Sequence, residues 1–153
     1  MKAVRLNEFK LIGLKLEGKT TNNGGQSSKD CGNLWQKFEN GNFAEQIPGK
    51  ISKEIYAVYF AYEGDHTEPF SYFIGCKVKP DTEPPEGMYS LIIPGQNYAK
   101  VTAKGEMPGC ISRSWESIWN SKIERSYKYD FEVYDERSEV RSNAEVDIFV
   151  STN

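Results

Sequence analysis

The sequence predicts an α+β domain in which a strand–helix–strand–strand unit occurs twice. Two segments carry apolar residues at the three-to-four-residue spacing of an amphipathic helix, and aromatic or alternating runs typical of β-strands flank each of them. An acidic, proline-rich segment at residues 80–87 separates the two sets of elements. Because 153 residues is the length of one domain, we expect a single domain over 1–153, with halves of about 1–79 and 88–153.

The first predicted unit begins with a strand at residues 9–17, followed by a loop rich in turn-forming residues. A helix comes next, with Ser27 as its predicted N-cap. The apolar face of this helix is formed by Cys31, Leu34, Trp35 and Phe38. Strands at 55–62 and 70–78, joined by a polar hairpin loop, complete the unit.

The second predicted unit has the same strand–helix–strand–strand order, preceded by one further strand. Strands at 88–93 and 98–104 precede a helix that starts after the Pro108-Gly109 pair. Its apolar face is formed by Ile111, Trp115, Ile118 and Trp119. An aromatic strand within 126–135, a charged turn and a last strand at 146–150 complete the chain.

The two units share a short pattern in their aromatic strands. Residues 56–59 (YAVY) align with residues 131–134 (FEVY) when the units are superposed by element order. A duplication would place Tyr59 and Tyr134 at related positions and Glu132 where the first unit has Ala57. Functional groups are commonly added to an existing fold at individual positions, so Glu132 is the first candidate for a site.

Strand geometry separates the neighbours of Glu132 into two groups. Side chains alternate along a strand, so Phe131 and Val133 point to one face while Glu132 and Tyr134 point to the other. A carboxylate beside phenol rings can hold an organic cation by charge attraction and cation–π contact. The alternative is an ordinary solvated glutamate on an exposed sheet face.

Six short motifs, in this order and spacing, give the chain a family resemblance. They are FKLIGL at 9–14, LWQKF at 34–38, YAVY at 56–59, YFIG at 72–75, WESIW at 115–119 and DFEVY at 130–134. Together they resemble the bacterial transcription-activator effector-binding domains, also called the gyrase-inhibitor-like family. The resemblance spans nearly the whole chain.

The resemblance implies an antiparallel sheet with helices packed on it, pseudo-two-fold symmetry and a central cleft between the halves. It also implies multidrug-type recognition of cationic, amphipathic small molecules by an acid deep in an aromatic cleft, and Glu132 matches that acid. Two features depart from the family pattern. No helix-turn-helix segment precedes the domain, and the final strand lacks a proline near its end, where residues 150–153 read VSTN.

The predicted ligand-binding residues are therefore Glu132 with Tyr59 and Tyr134 as walls of the cleft. Trp35 and Trp115 are further candidates, although their helical spacing fits a core position as well as a cleft floor. Three other aromatic residues share faces with aliphatic neighbours and are expected in the core. These are Tyr56, Phe60 and Tyr72.

Composition excludes several classes of function. A net charge of -3 argues against direct nucleic-acid binding, which favours a clustered basic surface. The cysteines Cys31, Cys76 and Cys110 are too few and too widely spaced for a disulfide framework or a zinc site, so free thiols are expected. His66 lies in a turn, and we expect no metal, cofactor or catalytic nucleophile.

No signal-peptide or membrane-spanning pattern is present, which predicts a soluble, cytoplasmic protein.

Three hypotheses for the function remain open at this point. The first is a stand-alone module that senses or sequesters lipophilic cations. The second is a small-molecule hydrolase in which Glu132 acts as general base on water. The third is a regulatory module for a larger protein partner, such as a topoisomerase or a DNA-binding subunit, which would engage a surface such as the acidic segment 80–87.

Overall fold

The computed structural model describes residues 1–153 and consists of one eight-stranded antiparallel sheet with two main helices. The strands are β1 (Lys2–Leu6), β2 (Phe9–Lys15), β3 (Ile55–Phe60), β4 (Ser71–Val78), β5 (Tyr89–Ile93), β6 (Gln96–Gly105), β7 (Asp130–Tyr134) and β8 (Ala144–Thr152). The helices are α1 (Gln26–Asn40), a single turn α2 (Phe43–Gln46) and α3 (Gly109–Trp119). The predicted α+β class is confirmed.

The order of strands across the sheet shows the predicted duplication of the β-α-β-β unit. The order is β1-β6-β8-β7-β3-β4-β2-β5, so β7 and β3 lie side by side at the centre. Exchanging β7 with β3, β8 with β4, β6 with β2 and β1 with β5 gives the same order read from the opposite edge of the sheet. Ala57 of β3 lies directly opposite Glu132 of β7, which places the pseudo-two-fold axis beside the acid.

Strand β1 was not predicted from the sequence, and it links the two edges of the sheet. The register from Lys2↔Lys100 to Leu6↔Gln96 continues without a shift from Phe9↔Ile93 to Gly13↔Tyr89. Residues 2–15 and 89–105 thus form one long ribbon that crosses from one half of the sheet to the other. Three residue steps from Leu6 to Phe9 span at most about 11 Å, so the sheet must curve strongly for its edges to approach.

The helices cover one face of the sheet. The core consists of three clusters, two under the helices and one on the opposite face. Helix α1 packs over a cluster that includes Ile12, Phe38 and Ile74, whereas α3 packs over one that includes Trp115 and Ile148. The third cluster lies on the opposite face and contains Phe131 and the predicted core residue Tyr56. Alternation along β7 therefore separates Phe131 from Glu132 as expected.

Helix α1 starts earlier than the sequence predicts. Its N-cap is Gly25, in the left-handed conformation with φ of 73°, and Ser27 lies inside the first turn. The Ser27 hydroxyl donates instead to Asn22 Oδ1 at 2.8 Å. The prediction of Ser27 as N-cap was therefore wrong. Gly25 takes this position instead, because a glycine adopts the left-handed conformation at no steric cost.

Two glycines from the family motifs allow β2 and β4 to approach closely. Gly13 and Gly75 are paired across the two strands. A methyl group on Gly13 would overlap the Ile74 carbonyl, and one on Gly75 would overlap the Ile12 carbonyl. These positions accept no side chain, because the obstacle is rigid backbone.

Residues 80–87 connect β4 to β5, and Thr82 packs against Gly49. The division of the chain at this segment remains a prediction.

The last strand, β8, lies inside the sheet between β6 and β7 and is not an edge strand. All three cysteines are free, and the structure has no helix of the length and apolarity that a bilayer crossing requires.

Candidate ligand-binding site

Glu132 lies at the centre of the molecule and is almost completely buried, with 1% of its surface exposed. Both carboxylate oxygens accept hydrogen bonds from aromatic side chains. The Tyr134 hydroxyl donates to Oε1 at 2.6 Å, while the Tyr59 hydroxyl and the Trp115 indole N–H donate to Oε2 at 2.7 and 2.6 Å. The alternative of a solvated glutamate on an exposed face was therefore wrong.

Three elements hold this arrangement in place. Tyr59 and Tyr134 come from the central strands β3 and β7, two residues beyond Ala57 and Glu132, which face each other. The pseudo-two-fold axis therefore places one phenol on each side of the carboxylate. Trp115 reaches it from α3, and its ring contacts the Tyr59 ring edge-on at 5.0 Å between centroids.

Burial and hydrogen bonding act on the Glu132 carboxyl group in opposite directions. Desolvation raises its pKa above the ordinary value of a glutamate, and the hydrogen bonds from Tyr134, Trp115 and Tyr59 offset part of this shift. The same burial, together with the nearby carboxylate, holds the pKa of the Tyr59 and Tyr134 hydroxyls well above the ordinary value. The phenols remain neutral donors, and the site has a net negative charge when Glu132 is ionised.

Trp35 belongs to the same aromatic cluster but does not bond to Glu132. Its indole N–H donates to the Tyr72 hydroxyl at 2.8 Å, and its ring contacts the Tyr134 ring edge-on at 5.0 Å. Trp35 is the counterpart of Trp115 in the first unit, where Ala57 replaces the acid. Tyr72 was predicted as core and is buried, yet it also extends the hydrogen-bonded aromatic cluster, which strand alternation alone did not reveal.

A cavity of about 250 Å³ lies next to this cluster, between α1, α3 and the β3–β4 loop. Tyr59 and Trp115 form part of its wall, but Glu132, Tyr134 and Trp35 do not. Glu132 is therefore one side chain removed from the cavity, behind Tyr59 and Trp115. Both units contribute to the wall, with Cys31 from α1 and Ile111 from α3.

A second charged cluster, which the sequence did not predict, borders the same cavity. Arg125 lines the wall and pairs with Asp130, with Nη2 at 2.8 Å from Oδ2. Asp130 also accepts hydrogen bonds from the Tyr62 hydroxyl and from the backbone and hydroxyl groups of Ser151. Asp130 belongs to the DFEVY motif, but nothing in the sequence around Arg125 distinguishes it from a surface arginine.

A stacked pair of rings forms part of the cavity wall. His66 lies on Trp119 with 5.0 Å between ring centroids and 11° between planes, and both line the cavity. Asn22 fixes this loop by donating its side-chain amide to the His66 carbonyl at 2.8 Å. His66 lies in a turn, as the sequence indicates, and it is half-buried against Trp119 of α3.

The duplicated fold, with a buried acid in an aromatic cluster beside a cavity, defines an effector-binding domain. The chain belongs to the family of integron-associated effector-binding proteins, whose model matches residues 2–151. This membership confirms the effector-binding resemblance found in the sequence.

Solved structures share the fold over nearly the full length. An integron cassette protein from the mobile metagenome of Vibrio cholerae is 26% identical, with a TM-score of 0.69, and the match covers 97% of this chain and 94% of that chain. SAV2435, solved with bound tetraphenylphosphonium, has a TM-score of 0.78 at 15% identity and covers 99% of this chain and 93% of that one. At this identity the likeness to SAV2435 concerns the fold alone.

A curated relative matches over part of its length. The "Putative transcriptional regulator protein YobU" of Bacillus subtilis (strain 168) is 28% identical over 102 residues. The match covers 65% of this chain and 64% of YobU, so it describes a portion of each protein.

Proposed function

We propose that the protein binds cationic, amphipathic small molecules in the cavity between α1 and α3, with Glu132 as the source of charge selectivity. The observation that carries this proposal is the burial of a carboxylate whose partners are all neutral. Tyr59, Tyr134 and Trp115 satisfy its hydrogen-bonding capacity but bring no positive charge. A buried carboxylate without a positive partner is stabilised more by a nearby cation than a carboxylate that is already paired or exposed to water.

The magnitude of this attraction is sufficient for selectivity. A cation in the cavity would be separated from Glu132 by Tyr59 or Trp115, a distance of about 7–8 Å, where two unit charges attract by about 2 kcal/mol at an effective dielectric constant near 20. Rotation of either ring would bring the charges closer and roughly double this energy. Each ring face in contact with the cation adds about 0.5–2 kcal/mol.

The walls of the cavity also suit an amphipathic ligand. Tyr59, Phe70, Trp115 and Trp119 supply aromatic surface, while Asn22 and Ser27 supply polar atoms near α1. Aromatic walls accept ligands of varied shape, because dispersion and cation–π contacts impose little directional constraint. The tetraphenylphosphonium bound to SAV2435 is a ligand of this chemical class, on the same fold.

Binding fits the geometry of Glu132 better than hydrolysis does. A general base needs a carboxylate oxygen within hydrogen-bonding reach of a water molecule. Here both oxygens accept hydrogen bonds from side chains, and the carboxylate does not line the cavity. The relative YobU is a "Putative transcriptional regulator protein", and we propose that in such a role the ligand-bound domain acts on a DNA-binding segment or partner.

The test is a titration of the wild-type protein with phenyltrimethylammonium and its uncharged isostere, tert-butylbenzene, followed by tryptophan fluorescence. Trp115 and Trp119 line the cavity, so a ligand there changes their emission. We expect saturable binding of the cation with an affinity roughly 10-fold or more above that of the isostere, corresponding to at least about 1.4 kcal/mol of charge attraction. Equal affinities, or no response to either compound, would contradict the proposal.

A further inference from the structure

A second cavity lies on the face of the sheet opposite the helices. Its volume is about 350 Å³, which is within the range of small-molecule sites. Residues 6–9, which link β1 to β2, form one wall, and side chains from or next to β3, β4, β7 and β8 form the rest. The two cavities have no lining residue in common, so this one is a separate candidate site.

The floor of the second cavity is aromatic. Phe131 and Phe149 are stacked, with 4.8 Å between ring centroids and 20° between planes, and Phe9 meets Phe131 edge-on at 5.6 Å. One of these rings already holds an ammonium group, because Lys77 Nζ lies 5.2 Å from the centroid of Phe9. The chain therefore shows by its own lysine that a positive nitrogen can lie on this aromatic surface.

The hydroxyl of Tyr56 is the polar group of this cavity that lacks a partner. Only 8% of Tyr56 is exposed, and its hydroxyl makes no hydrogen bond within the chain. The phenols of the other two buried tyrosines, Tyr72 and Tyr98, both accept hydrogen bonds from neighbouring side chains. Tyr56 lines the cavity, and its oxygen is not sealed inside the core. This oxygen is free to bond to a molecule in the cavity.

The charges around the cavity leave it with a single excess negative charge. Asp147 is already compensated by two basic side chains, whose nitrogen atoms lie 2.7 and 3.7 Å from its Oδ2. The other charged lining residues are Glu8, Glu54 and Lys77, and none of the ion pairs in the structure includes them. Two carboxylates and one ammonium are neutralised by a singly charged cation and not by an anion.

Glu54 and Tyr56 together define the kind of cation. Glu54 is half-buried, so its charge is screened less than that of the exposed Glu8. Burial, and then the charge of Glu54, raise the pKa of the Tyr56 hydroxyl to about 12. The phenol is therefore neutral at pH 7, and its oxygen can accept a hydrogen bond beside the carboxylate. Both groups accept from a nitrogen that carries N–H bonds, whereas a quaternary nitrogen has none to donate.

We propose that the second cavity binds an arylalkyl primary ammonium ion, with its nitrogen between the Tyr56 hydroxyl and Glu54 and its ring on the stacked pair of Phe131 and Phe149. The chemistry differs from that of the first cavity. There Glu132 acts at a distance, because its oxygens already accept hydrogen bonds, and so it selects charge alone. The second cavity selects charge and N–H donors. This inference does not depend on the proposed function.

The test compares three ligands of similar shape: phenethylammonium, phenethyltrimethylammonium and propylbenzene. The first has charge and N–H donors, the second has charge alone, and the third has neither. Methyl resonances of Leu6 and Ile111 report on the second and first cavities separately, since each residue lines one of them. We expect phenethylammonium to shift the Leu6 resonances saturably, with an affinity roughly 10-fold above that of either other compound, as expected for hydrogen bonds to a charged group.

Three variants of the full chain assign the effect to its residues. Tyr56→Phe removes only the hydroxyl and should weaken phenethylammonium roughly 5-fold while phenethyltrimethylammonium binds as before. Tyr129→Phe is the matched control, because Tyr129 packs against the same aromatic cluster but does not line the cavity, and it should change neither affinity. Glu54→Gln should weaken both cations and leave propylbenzene unchanged.

Equal affinities of phenethylammonium and phenethyltrimethylammonium for the wild-type protein, measured at Leu6, would overturn the assignment to an N–H donor, whether or not any variant folds. Leu6 resonances that do not respond, or that only follow those of Ile111 at every concentration, would show that the second cavity is not a binding site. A saturable Leu6 response without a matching one at Ile111 would support it, even if phenyltrimethylammonium failed to bind the first cavity and so contradicted the proposed function.

Discussion

At the scale of single residues, Glu132 combines two properties that normally exclude each other. It is almost completely buried, yet no basic side chain pairs with it, and its partners are the neutral groups of Tyr59, Tyr134 and Trp115. The three hydrogen bonds favour the ionised form, while desolvation favours the protonated form and dominates the pKa. The cost of ionising the carboxyl group in the empty site is the energy that a bound cation would recover.

This balance makes the stability of the free protein depend on pH. The pKa of Glu132 is raised in the folded state, so the folded protein holds this proton more tightly than the unfolded chain. The resulting stabilisation is complete below the ordinary glutamate pKa of about 4.3 and is lost as the pH rises through the raised value. Glu132→Gln is neutral throughout and lacks this contribution.

We therefore predict that the free energy of unfolding of wild type, relative to that of Glu132→Gln, falls as the pH rises above the ordinary glutamate pKa of about 4.3. Urea denaturation of both proteins at matched pH values measures this difference. Protonation of other groups cancels in the comparison, because only residue 132 differs. Parallel stability curves over the whole range would contradict the assignment of a raised pKa to this carboxyl group.

At the scale of elements, sequence patterns predicted the helices and central strands well. Trp35 and Trp115 lie on helices at related positions, and Tyr59 and Tyr134 flank the axis as the YAVY and FEVY alignment indicated. The pattern could not separate core from site, because both need buried aromatic side chains. The structure distinguishes Trp115, which is bound to Glu132 and lines the cavity, from Trp35, which is bound to Tyr72 and does not line it.

The motif glycines illustrate a constraint that belongs to paired strands and not to single residues. Gly75→Ala should destabilise the protein by several kcal/mol or prevent folding, because its new methyl group meets the backbone carbonyl of Ile12 in the neighbouring strand. Gly32→Ala is the matched control, since Gly32 is exposed in α1 with open space around it. This change should stabilise the helix by about 1 kcal/mol.

Thermal denaturation of the two variants against wild type measures both effects. The transition temperature should fall for Gly75→Ala and rise for Gly32→Ala. A Gly75→Ala protein as stable as wild type would show that β2 and β4 can separate enough to admit a side chain.

At the scale of the whole molecule, the two units meet around the site. The central strands supply Glu132 and its phenols, and α1 and α3 close the cavity from the two sides. The edge ribbon joins the units a second time through the unbroken register of residues 2–15 with 89–105. A ligand between the units would bind the folded state alone and should raise its stability by about 2.7 kcal/mol at 100 times the dissociation constant.

Long-range pairing explains which parts of the architecture escaped sequence analysis. Strand β1 is short, and its partner β6 lies about ninety residues away, so no local pattern indicates the pairing. Arg125 and His66 were missed for the same reason. Each becomes part of the site through contacts with residues distant in the chain, such as Tyr62 with Arg125 and Trp119 with His66.

The central claim is that the charge of Glu132 selects a cation, and a comparison of two neutralising substitutions tests it most directly. Glu132→Gln and Glu116→Gln each remove one negative charge, but Glu116 lies exposed at the cavity wall whereas Glu132 is buried behind it. The quantity to measure is the affinity ratio of phenyltrimethylammonium to tert-butylbenzene in both variants and in wild type.

We predict that Glu132→Gln lowers this ratio roughly 10-fold or more, in line with the loss of about 2 kcal/mol of charge attraction. Glu116→Gln should change it by less than about 3-fold, because solvent screens an exposed charge. An unchanged ratio in Glu132→Gln, or an equal fall in both variants, would contradict the account.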